Sequence, residues 1–420
     1  MIETLESIPP MSVVRRRLPS GEEVNIPAQV RQEWERQNLA GQVKGKRIAL
    51  GFGSRGVARI DEIAHEMVVM VKASDGDPFI VPAMGSHGGA TPEGQIEVLG
   101  GLGITEESAG CPIRATMETV ILGETERGMP VHFDRYAAEA DGYMICNRIK
   151  IHTDYHGPHE SGLIKMLGIG LAKEIGAASL HDHGVVGLRD YMPENARLVL
   201  QNTRFMAGFG VVEDGYHRPV HLEAFTKSDI IAGEKRLLDL ARSLMPRLPV
   251  DDIDVLIIDQ MGKDISGAGM DTNVIGRWRI AGEAEPETPR IKAIVVLDLT
   301  EASHGNATGT GLADFTTRRL LDKIDFPITT KNAFTSGFLM RGNLPMVFET
   351  DAQAIDAAIT AVFRAHPEGR SSARVMRIHS TLDLEAIWVS APLLDDVQAS
   401  EGFIEARALQ PMNFDNGALI

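Results

Sequence analysis

A unit that recurs three times in the first third of the chain limits what it can fold into: a short apolar run, a glycine or polar loop, then a helical pattern. The run IALGF at 48–52 leads into GSRGVARIDEIAHEMVVMV, where Ile60, Ile63, Met67 and Val71 return at helical spacing. The run FIVPAM at 79–84 leads into GSHGGATPEGQIEVLG, where Thr91 suits a helix cap and Pro92 the first helical turn. The run GYMIC at 142–146 leads into NRIKIHTDYHG. Strand, polar loop, helix is the α/β pattern, with a largely parallel sheet. In such sheets ligands bind beyond the carboxyl ends of the strands, so the three loops are where chemistry is expected.

At 420 residues the chain exceeds what one core usually serves, so two domains are expected. An amphipathic helix at 228–245 is followed by PRLPVDD at 246–252, whose two prolines mark a linker. Beyond it the pattern restarts with strands at 253–258 and 291–297 and an alternating run within 376–390. The expectation is an α/β fold of two domains, each with a mainly parallel or mixed sheet flanked by helices. The N-terminal, cofactor-binding domain spans 1–250, with 380–420 a candidate to return and complete it. The C-terminal domain spans 251–380, and the active site is expected in the interdomain cleft.

Composition removes whole classes of partner. A net charge of −16 argues against a nucleic-acid backbone, although a few basic side chains can still invert the field of one cleft. Two cysteines, Cys111 and Cys146, support neither a disulfide framework nor a four-thiolate metal site. The opening MIETLESIPP lacks a signal-peptide pattern, and no apolar stretch approaches the roughly 18 to 20 residues that cross a bilayer. A cytoplasmic protein without membrane partners is expected, with homo-oligomerisation left open.

Gly51 to Gly56 reads G-x-G-x-x-G, but the next strand ends in Pro82, Ala83 and Met84 rather than in the acidic residue a dinucleotide ribose requires. The loop can still hold a phosphate on backbone N–H groups, with Arg55 adding charge; a plain glycine turn with a solvated arginine reads equally well. His87, in the second loop, can serve as acid or base near neutrality, although a single loop histidine is more often a surface residue.

The third loop is different. Five of the 13 histidines, His152, His156, His159, His181 and His183, fall close together, and Lys165 lies among apolar residues. There is no H-E-x-x-H, and Gly157 and Pro158 break any helix carrying His156 and His159, so a zinc-protease reading fails. A histidine-ligated metal and a histidine acid/base pair both stay open. Lys165 reads either as a nucleophile activated by desolvation or as a lysine whose ammonium reaches water.

Taken together, the strand-end Ser54 and Arg55, the Gly-x-His loop leading to Thr-x-Glu, Ser161 and Gly162 ahead of Lys165, and His181 sixteen positions later resemble the nickel-dependent lactate racemases. The resemblance runs through about residues 45–190 and continues as overall layout in the second domain. It implies a nickel-pincer nucleotide tethered through Lys165, with His181 as nickel ligand and Ser54, Arg55 and Ser161 holding the nucleotide. It implies His87 and His152 as the catalytic pair, and a racemase or epimerase of a 2-hydroxy acid served by cofactor-biosynthesis proteins. Lys263, in Gln-Met-Gly-Lys, is the candidate substrate lysine. The chain departs from the family where Gly53 and Gly56 flank Ser54 and Arg55, in Leu163 for a second glycine, and in a longer histidine-to-lysine interval. Two other readings stand beside this one: a hydrolase using a histidine-bound metal, and a non-catalytic nucleotide- or phosphate-binding protein.

Overall fold

A computed structural model describes residues 8–54 and 56–420. The chain divides into two compact units, one formed by Pro19–Met245 and the other by the segment through Leu18 together with Pro246–Ile420. Both are α/β. The division at Met245/Pro246 coincides with the start of the proline-marked stretch, where the Ile230–Leu244 helix ends.

The first strand, β1 (Met11–Arg16), belongs to the C-terminal unit and is taken up below. The Pro19–Met245 unit is built on β2 (Arg47–Phe52), β3 (Asp77–Pro82), β6 (Gly142–Arg148), β7 (Phe205–Glu213) and β8 (Pro219–Phe225). A small antiparallel pair, β4 (Thr119–Glu124) and β5 (Pro130–Asp134), lies between β3 and β6 in the chain. The main sheet runs β3-β2-β6-β7-β8, parallel except for the β7–β8 pair. Ile48, Leu50 and Phe52 are fully buried, as is Ala49 between them, because layers on both sides cover this part of the sheet. Ile60, Ile63, Met67 and Val71 form the buried stripe of the Ile60–Ala73 helix, whose first turn carries Asp61 and Glu62 against the helix dipole. Thr91 caps the Pro92–Gly101 helix by accepting the Gly94 N–H at 3.1 Å.

The C-terminal unit holds an eight-stranded mixed sheet. Its strands are β1, β9 (Asp252–Met261), β10 (Arg290–Leu299), β11 (Phe315–Thr317), β12 (Met346–Phe348), β13 (Val375–Ile378), β14 (Ala386–Ser390) and β15 (Phe403–Ala406). They are ordered β12-β11-β10-β9-β13-β14-β1-β15, parallel from β12 to β13 and antiparallel beyond. The Asp351–Val362 helix packs Ile355 and Ile359 onto Val255, Ile257 and Val295. The alternating run within 376–390 is two strands joined by a turn.

The expected return of 380–420 to the N-terminal domain is corrected by this pairing. β14 and β15 stay in the C-terminal sheet, and β1 crosses to join them, with Met11 opposite Ser390 and Val14 opposite Ala406. Hydrogen-bonding edges must be satisfied, and the partner edge of β14 is filled by the chain's own beginning. Among the described residues no helix is long and apolar enough to cross a membrane.

Candidate active site

The loops after β2, β3 and β6 leave the same end of the sheet, and each is anchored by hydrogen bonds. Beyond β2, Glu213 at the end of β7 accepts the Ala58 N–H at 2.7 Å and pairs with Arg148 from β6, fixing the far side of the Ser54 loop. The Ser54 hydroxyl hydrogen-bonds His87 Nδ1. Arg55 lies outside the described residues.

The His87 loop is anchored more deeply. Gln95, fully buried, donates to the Gly85 carbonyl at 2.8 Å and to the His87 carbonyl at 3.3 Å. Gly85 in turn donates to Gly170 at 3.0 Å, so the loop rests on the segment that follows Lys165. Gly88 has φ +66°, and a Cβ there would fall 2.5 Å from Gly94 backbone, so only glycine lets the loop close on its helix. Lys173 anchors the root of the loop. It is wholly buried, adopts φ +55°, donates to the Pro82 carbonyl at 2.6 Å and pairs with buried Asp134 at 2.9 Å. The His87 ring itself is exposed.

His152 is held from several directions. Its N–H donates to Glu160 at 2.7 Å, its ring stacks on buried Tyr155 at 4.5 Å, and its Nδ1 accepts the Asp154 N–H at 3.1 Å. Its Nε2 lies 2.7 Å from Lys165 Nζ. Glu160, whose side chain is fully buried, also accepts the Gly157 N–H at 3.2 Å and Arg242 at 2.7 Å, with His156 Nδ1 at 3.4 Å. Burial alone would raise its pKa; hydrogen bonds from His156, the His152 N–H and Arg242 outweigh that and bring it below the ordinary carboxylate value.

Main-chain bonds between Lys150 and Ser161 close the base of this loop, so the contact the structure gives Ser161 is through its backbone. Lys165 ends a short helical turn, Leu163–Lys165, that widens into a π-helical turn, Met166–Gly170, a local irregularity frequent at functional sites. Glu234 accepts the Ile164 N–H at 2.8 Å and holds buried His159 at 3.0 Å. A Cβ on Gly162 would sit 2.6 Å from the Glu234 carboxylate, which is why glycine stands there.

His181 ends the Lys173–His181 helix and is exposed. Its pKa is nonetheless lowered, first by lost hydration and then by the charge Lys165 carries when protonated, against the opposing carboxylates of Asp154 and Asp182. That coupling puts it electrostatically in the same cluster as Lys165 and Asp154. The remaining histidines have other partners: His156 faces Glu160, His159 forms the buried pair with Glu234, and His183 lies edge-on to Tyr191 at 5.1 Å.

Ser54 and His87 thus meet directly, as do His152 and Lys165. Lys263 belongs to the C-terminal unit, in the loop after β9. There its Nζ donates to Asn332 at 2.8 Å and to the Gly267 carbonyl, and its N–H donates to Ser303 at 2.8 Å. Sequence reasoning missed Asp154, Glu160, Glu234 and Lys173, because an isolated acid or lysine carries no pattern until the fold buries it. Among the described residues no three His, Cys, Asp or Glu side chains converge to hold a metal.

No family model matches the sequence, and no curated protein matches it. Comparison with solved structures gives a lactate racemase apoprotein from Thermoanaerobacterium thermosaccharolyticum, with TM-score 0.53 and 11% identity, covering 88% of this chain and 94% of that one. A structural-genomics target from Thermotoga maritima gives TM-score 0.47 and 11% identity, over 66% of this chain and 72% of that one. What the chain shares with the lactate racemase is its fold, a two-domain α/β architecture.

Proposed function

We propose that this protein is an isomerase that racemises or epimerises a small 2-hydroxy acid with a nickel-pincer nucleotide attached through Lys165. The observation that carries the reading is the 2.7 Å contact between His152 Nε2 and Lys165 Nζ, in a chain with the fold of a lactate racemase.

The residues fit the group. Lys165 offers an amine for the attachment, and the lowered pKa of His181 keeps its ring neutral, with a lone pair available to a metal. Ser54, in the loop that follows β2, would hold the nucleotide's polar end together with Arg55. When bound, the group accepts and returns the hydrogen of the substrate's α-carbon as hydride.

The chain's own side chains then handle protons. An imidazole on one side of the substrate takes the hydroxyl proton as the carbon is oxidised, and the other returns a proton when the 2-oxo acid is reduced on its opposite face. His152 and His87 are assigned these roles, since imidazole can act in both directions near neutral pH. Glu160 and Tyr155 orient His152, and Ser54 orients His87.

Co-expression with cofactor-making enzymes tests the assignment. Expected are about one nickel per chain, a mass increment on Lys165, and retention of the α-hydrogen during racemisation of a panel of chiral 2-hydroxy acids. His87→Ala and His152→Ala are each expected to lower kcat by about 10²- to 10⁴-fold. An active, nickel-loaded Lys165→Ala protein would sink the reading.

A further inference from the structure

Hydrogen-bond bookkeeping around His152 fixes more than its orientation. Nδ1 accepts the Asp154 N–H at 3.1 Å, so in a neutral ring the proton resides on Nε2. Nε2 then donates toward Lys165 Nζ at 2.7 Å, and an ammonium has no lone pair with which to accept. Both bonds are satisfied together only when Lys165 is an uncharged amine. The competing arrangement puts the proton on Nδ1, facing the Asp154 carboxylate. That oxygen is 3.6 Å from Nδ1, beyond a good hydrogen bond, and the turn would break the Asp154 N–H bond.

The surroundings act in both directions. Asp154 and Asp182 favour charge on His181, whereas protonation of His181 and of Lys165 oppose each other. Glu160 acts on the other side of His152, through its backbone N–H, and Tyr155 covers the ring face. The flanking Leu163, Ile164, Met166 and Leu167 are buried and limit hydration of the lysine stem.

We propose that His152, set by Asp154, holds Lys165 of the unmodified chain as a nucleophilic amine that condenses with the carbonyl of a small 2-oxo acid. The Nζ lone pair forms a bond to the carbonyl carbon, and the oxygen leaves as water with both amine protons, giving an imine. His152 Nε2–H donates to the departing oxygen, and the ring recovers a proton from Nζ. The choice of a 2-oxo acid rests on the function proposed above, as the oxidised form of its substrate; the amine assignment rests on the hydrogen bonds alone.

The test uses the full chain made without cofactor-producing enzymes. It is treated with pyruvate and cyanoborohydride, which adds hydride to the imine carbon and a solvent proton to nitrogen, and modified lysines are mapped by peptide mass. In parallel, acetic anhydride at limiting dose reads amine availability independently of the oxo acid. An uncharged Lys165 predicts about 10- to 100-fold faster acetylation than the average lysine at pH 7. Pyruvate should mark Lys165 first.

That preference should vanish in His152→Gln and persist or grow in Asp154→Asn, which keeps the N–H and removes the carboxylate. The pH profile of Lys165 acetylation in the unaltered protein needs no variant, and its midpoint should lie below that of the other lysines. An ordinary midpoint, or a His152→Gln protein of unchanged thermal midpoint that labels like the parent, overturns the proposal. Fast acetylation without pyruvate capture overturns the oxo-acid step. Because none of these measurements involves nickel or racemisation, failure here and failure of the racemase assignment are told apart.

Discussion

Glu160 is a single carboxylate on which the whole histidine loop converges, with the His152 and Gly157 N–H groups and Arg242 all donating to it. Removing it takes an acceptor from a half-buried guanidinium and from two backbone donors at once. Glu160→Ala is expected to cost about 3 kcal/mol, read as a lowered urea midpoint. Glu160→Gln should recover part of this, since an amide oxygen still accepts. Little of this was legible in advance. The residue types were visible at 152, 165 and 181, but Glu160 became meaningful only when folding took its side chain out of water. Likewise His156 and His159 look equivalent in sequence, yet one is half-exposed and the other is locked to Glu234.

At the scale of elements, the strands and helices followed closely from pattern. Runs such as 48–52 are buried on both faces and leave the sequence little choice but a central parallel strand. The local reading had less to work with where two distant segments define a structure. Lys173 shows this: a lysine one turn beyond a glycine-rich stretch reads as solvent-facing, but it is buried and ties together Pro82 of β3, Gln95 of the next helix and Asp134 of β5. The Asp134 pKa is raised because burial outweighs the attraction of Lys173. Lys173→Met should therefore destabilise the protein by about 3 kcal/mol, since it leaves a buried acid without its counter-charge. Calorimetry measures that loss. It should be smaller in Lys173→Met combined with Asp134→Leu, and an equal loss in the double variant would refute the pairing argument.

For the molecule as a whole, acid titration should expose opposing contributions. Glu160 has a folded pKa below its unfolded value near 4.3, so its stabilisation is complete above about pH 4.3 and is lost as pH falls through the lower folded value. Asp134 has the opposite sign: its raised folded pKa makes the charged form a burden that protonation relieves. Urea midpoints measured from pH 6 down to pH 3 should fall steeply below pH 4.3 in the parent and less steeply in Glu160→Gln. With a net charge of −16, moderate salt should also raise the midpoint at pH 7 by screening self-repulsion. The division into two α/β units was readable from the prolines at 246–252, but the destination of the two chain ends was not. An edge strand carries no address in its own sequence, and only the free edge of β14 tells β1 where to go.

That strand has a consequence for how the protein is made. The Pro19–Met245 unit contains every strand of its sheets in one continuous stretch, so it can fold while the ribosome is still adding the remainder. The C-terminal sheet cannot. β1 emerges ahead of the Pro19–Met245 unit, and its two partners, β14 and β15, emerge only well after it. Until β14 has been made the nascent chain carries an unpaired strand, open to chaperones or to a neighbouring chain. A message truncated before β14 never buries it, so the pairing of β1 with β14 marks a chain translated at least through that strand.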